Sequence, residues 1–90
     1  MYHTTSKERV EQILRDGLET DRPGCYAERA VYLFSQIGDA ELFGIDNYGE
    51  EAEILDVDVE GLKIESDPEY PEGSAWICRE WIPALKIHKK

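Results

Sequence analysis

Thr5-Ser6-Lys7-Glu8-Arg9-Val10-Glu11-Gln12-Ile13-Leu14-Arg15-Asp16-Gly17-Leu18 is the stretch on which the fold turns. Val10, Ile13 and Leu14 recur at i, i+3 and i+4, which places them on one face of an α-helix, while Lys7, Glu11 and Arg15 point elsewhere. Thr5 and Glu8 stand in the Thr-x-x-Glu order of a capping box, so the spacing predicts a helix over 6–16 with Thr5 satisfying its first amides. Gly17 is expected to close that helix, with Leu18 folding back on the last turn.

Working outward, Tyr2-His3 reads as a very short first strand. The polar run 19–29 contains Pro23-Gly24 and predicts a loop that carries Cys25 and Tyr26. Val31-Tyr32-Leu33-Phe34 is rich in branched and aromatic groups and predicts a strand. Residues 39–43 are expected to make about one helical turn, bounded by Gly38 and Gly44, with a loop over 46–51. Leu55, Val57 and Val59 alternate with Asp56 and Asp58, the pattern of a half-exposed strand over 54–59. Residues 62–64 and 75–79 read as further short strands, and Trp76 and Trp81 are expected to bury their rings in the sheet, the alternative being an exposed Trp81 that anchors a partner. Beyond Trp81-Ile82-Pro83 lies a terminal stretch carrying Leu85 and Ile87. The fold class expected is α+β: one main N-terminal helix packed on a small, mainly antiparallel sheet of short strands, in one domain over 1–90.

Twenty Asp and Glu against ten Lys and Arg give a net charge of −10. That balance argues against direct nucleic-acid binding, which needs clustered basic groups. No apolar run approaches the roughly 18 residues of a membrane span and the N-terminus lacks signal-peptide features, so a cytoplasmic protein is expected. Cys25 and Cys78 fit no metal-ligand spacing and His3 and His88 lie at opposite ends, so no metal site is expected and both thiols are expected to be free.

Several segments together resemble the ADP-ribosyltransferase-like superfamily, in particular its small members that begin with a histidine motif. They are Tyr2-His3-Thr4-Thr5, the helix ending Ile13-Leu14-Arg15-Asp16-Gly17-Leu18, Val31-Tyr32-Leu33-Phe34, Ala40, Ile54-Leu55-Asp56-Val57-Asp58-Val59 and Trp81-Ile82-Pro83. The resemblance implies a pared-down ADP-ribosyltransferase-like fold with NAD as the ligand. By it His3 would hold a ribose, backbone at Thr4 would grip the nicotinamide amide, and Tyr32 would stack on nicotinamide. The family's third element is a glutamate; Glu80 is the candidate, with Asp67 and Glu72 competing. The activity implied is transfer of ADP-ribose to a macromolecular target.

The acidic charge carries a second, non-enzymatic reading. Asp56, Asp58 and Glu60 on one strand face would repeat roughly every 6.5 to 7 Å, close to the phosphate spacing of a nucleic-acid strand. A carboxylate stripe of that kind suits an inhibitor, of the phage anti-defence or anti-CRISPR type, that covers the basic surface of a nucleic-acid-binding protein. The plain alternative is the wet side of a strand.

Overall fold

A computed structural model describes residues 1–19 and 30–90. The predicted loop residues Pro23, Gly24, Cys25 and Tyr26 lie outside them. In chain order the elements are β1 (Tyr2–Ser6), α1 (Val10–Asp16) after a 3-10 turn (Lys7–Arg9), β2 (Val31–Phe34), α2 (Ile37–Tyr48), β3 (Ala52–Val57), β4 (Ile64–Ser66), β5 (Ala75–Cys78) and β6 (Ile87–Lys89). The strands form one sheet in the order β4-β5-β2-β1-β3-β6. Its pairings are all antiparallel. The α+β class and the sheet of short strands are as expected.

Each sheet face has its own helix, because alternate residues of a strand point to opposite faces. Val31 and Leu33 of β2, Leu55 and Val57 of β3, Cys78 of β5 and Ile87 of β6 join Val10 and Ile13 of α1 in one buried cluster, with Leu14 partly buried against it. On the other face Phe34 and Ala75 pack with Ala40 of α2, and Phe43 and Ile54 pack against them. The sheet is therefore sandwiched, with α1 on one side and α2 on the other.

Three expectations about the helices are corrected. The N-terminal helix does not run over 6–16, and Thr5 does not cap it. β1 pairs with β3 through five registers, from Tyr2↔Asp56 to Ser6↔Ala52. That ladder holds Thr5 in extended backbone inside the sheet, where its Oγ1 is buried without a hydrogen-bond partner among the described residues. α1 keeps seven residues, and its longer companion is α2 with twelve. Gly38 and Gly44 do not confine α2 either. Gly44 is buried, and a Cβ there would lie 2.9 Å from Ala52 Cβ and 3.0 Å from Thr4 Cγ2. The missing side chain lets α2 sit flush on β1 and β3, and that contact outweighs the roughly 1 kcal/mol helix propensity lost at glycine.

Leu18 likewise leaves the helix end for the sheet's periphery. Its N–H donates to Ile82 C=O (2.9 Å) and its C=O accepts from Ile82 N–H (3.0 Å). Both side chains are buried. The C-terminal stretch is thus tied across α1 before it pairs as β6 with β3. Trp81 is not buried: it is 55% exposed, with Nε1 donating to Asp16 C=O (2.9 Å). Trp76 is partly buried and donates to Ser35 Oγ (2.8 Å). Among the described residues no helix is long and apolar enough to cross a membrane.

Candidate functional site

β1 and β2 are paired at one register only, Tyr2↔Phe34. Continuing it would set Thr4 opposite Tyr32, yet those two residues are not bridged. Instead the imidazole of His3 occupies the opening, with Nδ1 2.9 Å from Tyr32 C=O. In an antiparallel ladder, hydrogen-bonded and non-hydrogen-bonded pairs alternate. Met1 exchanges both backbone bonds with Val57. His3 and Thr5 therefore direct their backbone groups at β3, and Thr4 directs its N–H and C=O toward β2 and the opening.

A cavity of about 70 Å³ fills this opening, with His3, Thr4, Arg9, Glu19 and Tyr32 among its lining residues. Tyr32, Phe34 and Phe43 line it and also line a second, larger cavity of about 680 Å³. The second one extends over the part of the sheet that α2 leaves uncovered, walled by Glu65, Asp67, Tyr70 and Arg79. Its aromatic floor is braced: Phe34 lies 5.5 Å from Phe43 and 5.7 Å from Tyr70, the latter edge-on at 84°. Small-molecule sites usually occupy about 300 to 1,000 Å³. The larger cavity meets that range, and the smaller one takes a fragment. Tyr32, Phe34 and Phe43 are common to both, whereas His3 lines the smaller one alone.

His3 is the best-defined chemical group of the site. Burial, opposed by the bond to Tyr32 C=O and aided by the positive charge of Arg9, lowers its pKa from 6.5 to about 4. The ring is therefore neutral at pH 7. A carbonyl only accepts, so Nδ1 carries the proton and donates, and Nε2 is left as a hydrogen-bond acceptor. That arrangement suits a hydroxyl donor. Thr4 is buried, and its Oγ1 donates to Ala40 C=O (2.8 Å), anchoring α2 over the opening.

The neutral histidine has a consequence for stability. The unfolded chain takes up a proton near pH 6.5 and the folded one only near pH 4, so His3 stabilises the fold above pH 6.5 and that contribution is lost as pH falls toward 4. The shift corresponds to about 3 kcal/mol. In His3→Asn the amide can still donate to Tyr32 C=O but does not titrate. Urea unfolding of parent and variant between pH 4 and 7 should show the parent gaining about 3 kcal/mol on the variant up to pH 6.5 and nothing beyond. Parallel curves would show that His3 is not held neutral. Carboxylates titrating in the same window cancel in the difference.

Glu80 is not part of this site. It follows β5 on the β4 side, where Oε1 accepts the Lys63 N–H (3.2 Å), and it lines neither cavity. Strand β5 ends at Cys78, so the chain has already turned away before Glu80. Glu72 is exposed and also lines neither. Of the sequence candidates, Asp67 is the carboxylate at the larger cavity; it is buried, with Oδ1 accepting Glu69 N–H (2.9 Å). Arg9, Phe34, Phe43 and Arg79 join the site without any signal in the sequence pattern, since each reads there as an ordinary helix or strand residue.

The acidic stripe also changes form. β3 ends at Val57, and Asp58 Oδ1 accepts Glu60 N–H (3.0 Å) in a turn. Asp56 remains on the strand, 3.9 Å from the N-terminal ammonium. All three carboxylates are exposed, but they do not repeat along one strand face. Cys78 is buried with its thiol free, and burial raises its pKa. Cys25 lies outside the described residues. No protein-family model matches the chain, and no curated protein shows significant similarity to it.

Proposed function

We propose that this protein binds NAD or a related nucleotide at the opening between β1 and β2, in the manner of an ADP-ribosyltransferase-like domain. The reading rests on one observation above all: the neighbours His3 and Thr4 of β1 and the distant Tyr32 of β2, the three residues the resemblance singles out, line a single cavity. In this reading His3 Nε2 accepts from a ribose hydroxyl, the Thr4 backbone is offered to the nicotinamide amide, and the Tyr32 ring supplies a stacking face. The proposal concerns binding. For transfer of ADP-ribose, Asp67, which lines the larger cavity together with Glu65 and Glu69, replaces Glu80 as the candidate carboxylate in this reading.

Thermal unfolding with added NAD tests this directly. A ligand present at 100 times its Kd stabilises the native state by about 2.7 kcal/mol, a rise on the order of 10 °C for a domain of this size. His3→Asn should abolish the rise while its own unfolding at pH 7 stays cooperative. An unchanged melting temperature at millimolar NAD, with no heat in calorimetry, would remove the reading.

A further inference from the structure

Among the described residues, Arg9 in the smaller cavity has no carboxylate partner. Arg9 ends the 3-10 turn and lines the cavity beside His3. Its Nε is buried with no hydrogen-bond partner, and among the described residues it makes no ion pair. Glu19 lines the same cavity without pairing to it. In a chain with twice as many acidic as basic groups, a partly buried guanidinium left in this state stands out, because buried arginines are normally paired. Among the described residues no anionic oxygen is paired with Arg9, although Glu19 lines the same cavity.

We infer that Arg9 anchors a phosphoryl group of the ligand, next to the sugar hydroxyl received by His3. Two requirements meet in one small space. His3 Nε2 calls for a hydroxyl donor, and the planar fork of Arg9 calls for paired anionic oxygens. A sugar phosphate carries both side by side, and a hydroxy acid, which offers a carboxylate in place of the phosphoryl group, is the alternative that the test separates. The volume of about 70 Å³ agrees: at roughly 10 to 15 Å³ for each water-sized occupant, the cavity takes on the order of five, enough for the heavy atoms of one phosphate group. The inference deepens the nucleotide reading and rests on it for the role of His3, but Arg9 itself can be tested without NAD.

The test follows the Arg9 Nε–H resonance of the full chain by nitrogen-proton NMR during titration with ribose 5-phosphate, with free ribose and with lactate, a hydroxy acid. A saturable shift with ribose 5-phosphate, absent with ribose and at least tenfold weaker with lactate, is the expected result. Phosphate binding should also raise the His3 pKa, since the anion offsets the charge of Arg9, whereas Glu19 contributes equally in both states. Arg9→Gln should weaken ribose 5-phosphate binding at least tenfold, and Arg9→Lys should recover part of it. An unmoved Arg9 signal, an equal response to ribose or to lactate, or an Arg9→Gln protein that binds as tightly as the parent would overturn the inference. NAD stabilisation together with a silent Arg9 would defeat this inference alone; an Arg9 response without NAD stabilisation would defeat the NAD reading and leave a sugar-phosphate site.

Discussion

Gly17→Ala is expected to destabilise the fold by about 4 kcal/mol or more, among the largest effects a single substitution produces. Two causes act together. Gly17 has φ 86° and ψ −176°, a region essentially confined to glycine. A Cβ there would also collide with Ile82 O and lie 2.7 Å from Trp81 Nε1. Neither neighbour can give way cheaply, because Ile82 O accepts the Leu18 N–H and Trp81 Nε1 donates to Asp16 C=O. The damage would spread to the tie between Leu18 and Ile82, which holds the C-terminal stretch across α1. Gly61→Ala is the control: φ is 81° with nothing within 4 Å of the added Cβ. It should cost about 1 to 2 kcal/mol from backbone strain alone. Gly17→Asn should not rescue, since asparagine favours the left-handed helical region and ψ at Gly17 lies far from it. Equal unfolding midpoints for the Gly17 and Gly61 variants would show that the approach to Ile82 is not close.

Ile13→Ala should cost about 2 to 5 kcal/mol, the span observed for large-to-small changes in packed cores. Ile13 is 1% exposed and sits in the cluster with Leu33, Leu55, Val57 and Ile82, so it is the side chain that presses α1 onto the sheet. For a chain of 90 residues the whole stability is roughly 5 to 13 kcal/mol, and the loss is a large share of it. Leu42→Ala provides the contrast. Leu42 is on α2 but 63% exposed, and its removal should stay within about 0.5 kcal/mol. Chemical denaturation of both proteins checks the pair, and an unchanged midpoint for Ile13→Ala would mean that α1 does not pack through this face.

Local chemistry accounts for much of what was legible in the sequence. Val31–Phe34 is a strand, Leu55 and Val57 are buried while Asp56 is exposed, and Val10 and Ile13 face the core. These follow from side-chain periodicity, which depends only on residues a few positions apart. Gly17 was also legible as the end of a helix, though at φ 86° and ψ −176° it takes a glycine-only conformation other than the left-handed helical one. The resemblance singles out His3, Thr4 and Tyr32, and these three are among the residues lining the smaller cavity.

What only the tertiary structure decided depends on partners distant in the chain. Thr5 became a strand residue because β3 was available to pair with it, and the local capping signal could not compete with a five-residue ladder. α2 runs through Gly44 because the absence of a side chain there permits a close approach to Thr4 and Ala52, a gain invisible to helix propensity. Glu80 fell away from the site because β5 ends two residues before it, and the stripe of Asp56, Asp58 and Glu60 broke because β3 ends at Val57. The meeting of His3 with Arg9 beneath the gap between β1 and β2 has the same origin. Periodicity fixes which face a residue takes, whereas strand ends, close approaches and cavities are set by the packing of elements against one another, which no short window of sequence contains.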